Sequence, residues 1–217
     1  MTDFTAARRN MVDGQVRTAD VTDLRIIAAM LEVPREAFVA PAMAGLAYLD
    51  LDVPVGAGAQ SARRLIKPMV LAKLIQAADL AGTDRVLDVG CATGYGAAVL
   101  ARIAGQVVAL EQDAGLTKAE ALAGFPNLTL ATGRLSEGYP QGGPYDAILL
   151  EGATEVTPHT LFDQLNDGGR LVCVLGSGPG AKAMLYRRSG KETGGRPIFD
   201  AAAPVLPGFV KPPEFAF

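Results

Sequence analysis

Short apolar runs alternate with amphipathic segments from residue 68 to about residue 176. The runs are rich in Val, Leu, Ile and Ala, as is typical of strands buried on both faces, and predict strands at 85–89, 106–111, 127–131, 145–150 and 169–175. The segments between them have helical periodicity and predict helices at 68–81, 93–104, 114–123 and 158–165. This alternation indicates an α/β fold, with a mostly parallel sheet covered by helices on both faces.

The segments at both ends of this region extend the pattern. Residues 182–188 and 197–203 predict the last two strands, one of them antiparallel, which gives a seven-stranded sheet. Residues 4–17 and 20–33 predict two helices before the sheet begins. In the second of these helices, the predicted buried face consists of apolar residues at helical spacing, namely Leu24, Ile27, Ala28 and Leu31.

Three further stretches lack a regular pattern. Residues 34–41 and 47–56 are interrupted by prolines and glycines, which predict extended loops with at most short strands. Residues 204–217 contain four prolines and predict an extended tail packed on the surface. We therefore expect a single domain over residues 1–217, made of a helical and loop extension (1–67), a sheet core (68–203) and a tail (204–217).

The composition narrows the classes of partner. With 217 residues, 49% of them hydrophobic, the chain can bury a full core, and its net charge of -3 offers no positive field for nucleic acid or an anionic membrane. Its apolar segments are interrupted well before the roughly 18 residues of a spanning helix. The start, Met1-Thr2-Asp3-Phe4, has no signal-peptide pattern. Cys91 and Cys173 lack C-x-x-C spacing and predict buried side chains rather than a metal site. We expect a cytoplasmic protein with no nucleic-acid, membrane or metal partner.

A glycine-rich loop follows the first core strand and carries the main chemical signal. The run Val86-Leu87-Asp88-Val89-Gly90-Cys91-Ala92-Thr93-Gly94-Tyr95-Gly96 predicts a strand, a tight loop and the start of a helix. Positions 90, 92 and 95 are Gly, Ala and Tyr, so the G-x-G-x-x-G spacing of a dinucleotide loop is absent and a nicotinamide cofactor is disfavoured. Asp88 would repel a pyrophosphate and attract an ammonium group. The ligand that fits is a nucleoside carrying an amino acid, S-adenosylmethionine.

A second acidic residue supports this interpretation. Glu111 ends the next predicted strand, 21 residues after Gly90. An acid in this position is placed to accept hydrogen bonds from both ribose hydroxyls of a bound nucleoside. The alternative is a solvated carboxylate at a strand end, but its combination with Asp88 and the loop favours a binding role.

Several blocks in order along the chain resemble one enzyme family. They are Arg9-Asn10-Met11-Val12-Asp13-Gly14-Gln15-Val16, Val33-Pro34-Arg35-Glu36-Ala37-Phe38-Val39, Ala47-Tyr48-Leu49-Asp50 and Pro54-Val55-Gly56. They resemble the N-terminal blocks of protein-L-isoaspartate O-methyltransferases, and the resemblance continues to about Gly176. It implies a Rossmann-like class I methyltransferase fold, S-adenosyl-L-methionine as cofactor, and a protein or peptide carboxylate as substrate, in protein repair.

The resemblance and the loop together give a set of candidate cofactor-binding residues. These are Asp88, Gly90, Cys91, Ala92, Gly94, Glu111, Gln112, Arg134, Leu135 and Glu151. Arg134 stands where the family has an acidic residue beside the adenine; an arginine can stack on adenine but cannot accept its amino hydrogens. Glu151 replaces a residue that is usually small or hydroxylic, at the expected mouth of the site.

The predicted substrate loop departs from the family pattern. The family has a Thr-Ile-Ser-Gln-Pro type segment where this chain has Arg64-Leu65-Ile66-Lys67-Pro68, so Arg64 and Ile66 replace the two hydroxyl residues. Arg63, Arg64 and Lys67 could bind an anionic substrate, or they could form a solvated basic turn. The alternative function is therefore an S-adenosylmethionine-binding homologue that lacks isoaspartyl activity and acts on another acidic substrate or serves as a sensor or partner-binding module. No catalytic residue is predicted, because an acceptor carboxylate is already ionised at neutral pH.

Overall fold

A seven-stranded sheet lies at the centre of the computed structural model, which describes residues 3–56 and 63–212. Two short strands, β1 (Val53–Pro54) and β2 (Arg64–Leu65), pair with each other before it. The sheet strands are β3 (Arg85–Val89), β4 (Gln106–Glu111), β5 (Leu128–Thr132), β6 (Tyr145–Thr154), β7 (Leu165–Leu175), β8 (Lys182–Ser189) and β9 (Glu192–Asp200). Their order is β5-β4-β3-β6-β7-β8-β9, and within the described part of this sheet only the pairs on either side of β8 are antiparallel. The predicted mostly parallel sheet with one antiparallel strand is confirmed.

Helices flank the sheet as the alternating pattern predicts. They are α1 (Phe4–Met11), α2 (Leu24–Glu32), α3 (Pro68–Ala78), α4 (Tyr95–Ala101), α5 (Ala119–Leu122) and α6 (His159–Phe162). After α1, the chain continues through a π turn and a 3-10 turn as far as Ala19. Both α5 and α6 are shorter than the predicted 114–123 and 158–165; ahead of α5, the Asp113 side chain accepts the amide of Gly115 in a tight turn.

The predicted buried face of α2 is right for Ile27 but wrong for its other three residues. Leu24 is 72% exposed and Leu31 is 36% exposed, and Ala28 is also exposed. The face packed into the core consists of Ile26, Ile27, Ala29 and Met30. Because α2 has apolar residues around most of its circumference, its spacing alone could not select the buried side.

The first predicted loop, residues 34–41, contains a 3-10 helix at Arg35–Phe38, and a second 3-10 helix at Pro41–Leu46 leads to the predicted loop at 47–56. The fully buried Arg35 side chain ties this segment to the rest of the fold. Its Nε donates to the Ala47 carbonyl oxygen at 2.7 Å and its Nη2 to the Ile66 carbonyl oxygen at 2.8 Å. One guanidinium group thus connects the N-terminal extension to the segment that leads into α3.

The prediction of a tail packed on the surface is wrong for two residues of 204–212, which are buried, and residues 213–217 lie outside the described part of the chain. The tail runs beside the end of β6, where the Ala153 amide donates to the Pro204 carbonyl and the Leu206 amide to the Ala153 carbonyl, each at 2.8 Å. Leu206 and Phe209 are buried. Their burial of apolar surface favours docking, although the prolines keep the segment extended.

Two smaller features bear on the predicted classes. Cys91 and Cys173 are both free and buried, as predicted. Among residues 3–56 and 63–212, no helix has the length and apolar character needed to cross a membrane.

Candidate functional site

The glycine loop joins β3 to α4 in a conformation that few side chains would permit. Gly90 and Gly94 have φ angles of 78° and 99°, in the left-handed region that glycine adopts without strain. The amides of Gly90 and Cys91 both donate to the Leu110 carbonyl oxygen, at 2.8 and 3.2 Å. These bonds fix the loop to the end of β4, so the ends of two neighbouring parallel strands meet at one place.

Glu111 lies at that meeting point, with its side chain 1% exposed. Its Oε2 accepts from the Ala92 amide at 2.8 Å and from Arg63 Nη2 at 2.8 Å, and its Oε1 accepts from the Gln112 amide at 2.8 Å. Arg63 Nη2 also donates to the Gly90 carbonyl oxygen at 2.7 Å. The structure therefore brings the predicted ribose-binding acid directly against the glycine loop and pairs it with a buried arginine.

Asp88 lies beneath the loop and is fully buried. Neither of its oxygens accepts a hydrogen bond from an N–H group or hydroxyl of the described residues. Burial raises the pKa of the Asp88 carboxyl to about 7; a hydrogen bond with Glu151 and the charge of Arg63 oppose this rise, whereas the charge of Glu111 adds to it. A buried carboxyl that accepts from no N–H group or hydroxyl of the described residues fits the predicted ammonium group of the cofactor.

The prediction that Glu151 stands at the mouth of the site is wrong. Glu151 is 2% exposed, and its carboxyl group faces Gly96 at the start of α4. It lies on the same face of the sheet as Asp88, because β3 and β6 pair with Asp88 opposite Leu149, two residues before Glu151. Burial raises the pKa of Glu151 well above its usual value, and the neighbouring Asp88 raises it further.

Arg35 and Tyr95 complete the polar lining, and the sequence did not single them out. The Arg35 guanidinium lies 4.7 Å from the centre of the Tyr95 ring, in a cation–π contact. Burial lowers the pKa of Arg35 and raises that of Tyr95 to about 12. Arg35 belongs to a block that resembles the family and Tyr95 directly follows Gly94, so both carried a positional signal.

The tail covers one side of the loop. A methyl group placed on Gly90 would lie 2.9 Å from Leu206 Cδ2 and 3.0 Å from Arg63 Nη2, and one placed on Gly152 would lie 2.7 Å from Leu206. Leu206 thus packs against the backbone of both Gly90 and Gly152. The sequence did not predict this contact, because the pattern of prolines in residues 204–217 indicated a tail on the surface.

Other predicted cofactor residues differ in their surroundings. Leu135 is fully buried, whereas Gln112 is exposed next to Glu111. The Arg134 side chain is 78% exposed, and its Nη1 pairs with Glu137 Oε1 at 3.2 Å. Arg134 is therefore not brought together with the buried carboxylates, and its contact with adenine stays a prediction.

The predicted substrate-loop residues also separate. Ile66 is buried, Arg64 Nη1 donates to the Asp52 carbonyl oxygen at 3.3 Å, and the Lys67 amide donates to Asp52 Oδ1 at 2.9 Å. Arg63 is buried against Glu111, so the interpretation of residues 63–67 as a solvated basic turn is wrong for that residue. Only Arg64 and Lys67 remain partly exposed to an incoming substrate.

A mostly parallel seven-stranded sheet, with a glycine loop after β3 and an acid at the end of β4, defines the class I methyltransferase fold. One solved protein-L-isoaspartate O-methyltransferase matches with a TM-score of 0.80 and 24% identity, over 93% of this chain and 66% of that chain. Another structure, from Plasmodium falciparum, is described as a beta-aspartate methyltransferase in complex with S-adenosyl-L-homocysteine. It matches with a TM-score of 0.70 and 18% identity, over 95% of this chain and 99% of that chain.

Sequence comparisons identify the family. The family model for protein-L-isoaspartate(D-aspartate) O-methyltransferase matches residues 7–199. Protein-L-isoaspartate O-methyltransferase 1 of Rhodopseudomonas palustris strain HaA2 is 39% identical over 188 residues, which cover 85% of this chain and 75% of the relative. Protein-L-isoaspartate O-methyltransferase of Methylorubrum extorquens strain PA1 is 38% identical over 193 residues, which cover 88% of this chain and 83% of the relative. The chain belongs to the protein-L-isoaspartate(D-aspartate) O-methyltransferase family, and the predicted family and fold class are confirmed.

Proposed function

We propose that this protein transfers a methyl group from S-adenosylmethionine to a carboxylate oxygen of a protein or peptide, with isoaspartyl residues as the first substrate class. The observation that carries the proposal is the position of two acids at the ends of adjacent parallel strands. Asp88 has unpartnered oxygens beneath the loop, and Glu111 lies at its edge with its carboxylate bonded to the Ala92 amide. An ammonium group and a ribose are the ligand groups that these acids fit.

The residues around the loop would bind and orient the donor. Bound S-adenosylmethionine supplies a methyl group that its sulfonium has already activated for transfer. Asp88 would hold the ammonium group, and Glu111 would accept the ribose hydroxyls, with Arg63 held at the edge of the same site. Alignment of two reactants can contribute about 7 to 11 kcal/mol to lowering a barrier. We therefore assign the protein a positioning role and no general base.

The chemistry of the methyl acceptor agrees with a protein that positions its substrates and supplies no general base. A substrate carboxylate, with a reference pKa of about 4, is ionised at neutral pH and needs no proton removed before it attacks. An amine or hydroxyl acceptor would need such a base. A carboxylate acceptor is therefore the one that this set of residues supports.

Ile66 favours a second candidate within the same chemistry. It replaces a hydroxyl residue of the family's substrate segment, and its side chain is buried while its carbonyl oxygen is held by Arg35. A hydrogen bond that this hydroxyl would make contributes about 0.5 to 1.5 kcal/mol. We propose, as the alternative, that the same donor site serves another acidic substrate, or that the protein binds the donor as a sensor.

A methyl-transfer assay separates these possibilities. Labelled S-adenosylmethionine is incubated with an isoaspartyl peptide and with the same peptide carrying ordinary aspartate. We expect base-labile methyl esters on the isoaspartyl peptide only, and their loss in Asp88→Asn but not in Asp200→Asn, which changes an exposed residue of β9. Esters on neither peptide would refute isoaspartyl methylation; labelling of another acidic protein would then support the altered substrate, and donor binding without any labelled acceptor would support the sensor.

The proposal extends to the cellular compartment in which the protein acts. Two free, buried cysteines are compatible with a reducing environment such as the cytoplasm. The net charge of -3 gives no general attraction to nucleic acid or to anionic lipid. We therefore infer a cytoplasmic enzyme whose macromolecular partner is its protein or peptide substrate.

A further inference from the structure

Asp88 and Glu151 form a pair of buried acids. The proposed role of Asp88 in binding the methyl donor does not explain why a second acid lies beside it. They lie on neighbouring strands and on the same face of the sheet, beneath the glycine loop. The Glu151 carboxyl group is fixed against Gly96, where any side chain would overlap it. A glutamate can therefore reach this place only because residue 96 is glycine.

The pair lacks ordinary hydrogen-bond donors. Both oxygens of Asp88 and Oε1 of Glu151 have no N–H or hydroxyl partner in the described part of the chain. Two carboxyl groups that face each other can form a hydrogen bond only if one of them keeps its proton. A single shared proton also avoids two adjacent negative charges in a buried site.

The surrounding charges come from several elements. Glu111 at the end of β4 adds negative charge near Asp88, and Arg63 opposes it. Arg35 and Arg63 both favour the ionised form of Glu151. The Cys91 thiol is neutral, because burial and the three nearby acids raise its pKa. Two arginines therefore face three acids, which leaves one negative charge for a proton or a cation to neutralise.

Other buried polar atoms indicate that a ligand completes the site. Thr93 Oγ1, Tyr95 OH and Arg35 Nη1 also lack partners among the described residues, and two of these residues belong to the loop and the start of α4. Buried polar groups are normally hydrogen-bonded, so a cluster of unsatisfied donors and acceptors marks a place for a polar ligand. The α-amino acid part of S-adenosylmethionine has both an ammonium and a carboxylate to offer.

We propose that Asp88 and Glu151 share one proton in the ligand-free enzyme and that the ammonium group of the donor displaces this proton to the solvent on binding. This inference rests on the proposed function, since it requires the donor to bind beneath the loop. Glu151 then becomes a specificity residue for a cationic amino-acid group. Because binding releases a proton, donor affinity rises with pH while the ligand remains cationic, by up to about tenfold per pH unit.

Calorimetry in two buffers of different ionisation enthalpy tests the proposal, with S-adenosylhomocysteine as the probe at about pH 7. We expect release of up to about one proton per ligand by the wild type and by Glu192→Gln, an exposed control on β9. Release falls close to zero in Glu151→Gln, which still binds the ligand. 5′-Methylthioadenosine, which has the nucleoside without the amino acid, binds without proton release.

Equal release by Glu151→Gln or by 5′-methylthioadenosine would overturn the proposal. Failure of the wild type to bind S-adenosylhomocysteine would instead refute the proposed function. Proton sharing between Asp88 and Glu151 is then tested on the protein without ligand. Its infrared spectrum at about pH 7 should contain a protonated-carboxyl band that Glu151→Gln and Asp88→Asn both lack. A wild-type spectrum without that band would overturn proton sharing independently of any ligand.

Discussion

Arg63 Nη2 lies 2.8 Å from Glu111 Oε2 and 2.7 Å from the Gly90 carbonyl oxygen, so one guanidinium group closes the gap between the ends of β3 and β4. Both side chains are at most 10% exposed. The carboxylate proposed to accept the ribose hydroxyls thus already accepts from Arg63 and from the Ala92 amide. We expect binding of the methyl donor to replace the bond from Arg63 by bonds from the nucleoside.

The buried Arg63–Glu111 pair should matter far more for stability than a surface pair. We expect Glu111→Ala to lower the free energy of unfolding by about 2 to 4 kcal/mol, because it leaves three backbone amides without their acceptor and the buried Arg63 without its carboxylate partner. Glu137→Ala removes the exposed partner of Arg134 and should change it by less than about 0.5 kcal/mol. Urea unfolding of both variants measures the contrast, and equal losses would argue against a structural role for the buried pair.

Gly96 makes room for Glu151, so alanine should be harmful there. In an exposed helix, Gly→Ala commonly stabilises by up to about 1 kcal/mol. At Gly96 the added methyl overlaps the Glu151 carboxyl, and we expect a loss of about 1 to 3 kcal/mol. Gly124→Ala is the control, because no atom lies within 4 Å of its added methyl. A Gly96→Ala protein as stable as the control would show that Glu151 is not held where the structure has it.

The docked tail should contribute measurable stability through Leu206. Leu206→Ala removes a fully buried side chain that packs on Gly90 and Gly152, and we expect a loss of about 2 to 4 kcal/mol. Val210→Ala, at a position 62% exposed, should stay within about 0.5 kcal/mol of the wild type. Thermal and urea unfolding report both changes. A Leu206→Ala protein no less stable than Val210→Ala would show that the tail is not docked in solution.

The acid pair also sets a direction for the pH dependence of stability. The pKa of Asp88 is raised to about 7 in the folded protein, above the value of about 3.9 expected when unfolded. The folded state therefore binds more protons between these values, and the contribution of this group to stability is lost as pH rises through that window.

Glu151→Gln removes one of the two charges and supplies an amide donor to Asp88. We expect its stability relative to the wild type to increase from about pH 5 to about pH 8, and Glu192→Gln to show no such trend. Urea unfolding at several pH values measures the difference. A difference that does not vary with pH would show that neither acid of the pair has a raised pKa.

The parts of the fold that the sequence predicted best are those in which local pattern and burial agree. The bounds of β3 and β4 match the prediction, because an apolar run buried on both faces leaves little choice of register or length. The loop and its two acids followed from the same local pattern. On α2, apolar residues lie on several sides, and only tertiary packing decided which of them became buried.

The features that sequence reasoning missed depend on contacts between distant segments. Arg63 bonds to Glu111, 48 residues away in the sequence, and Leu206 packs on Gly90 in the loop after β3. The family resemblance placed Glu151 at the mouth, whereas the absence of a side chain at Gly96 lets it point inward. None of these pairings leaves a periodic trace along the chain.

The structure of the complex with S-adenosylhomocysteine would show whether the methyl donor binds at the ends of β3 and β4. We expect the ribose hydroxyls within hydrogen-bond distance of Glu111, Arg63 no longer bonded to Glu111 Oε2, and the amino group beside Asp88. A ligand bound away from the glycine loop, with the Arg63–Glu111 pair intact, would refute the proposed donor site.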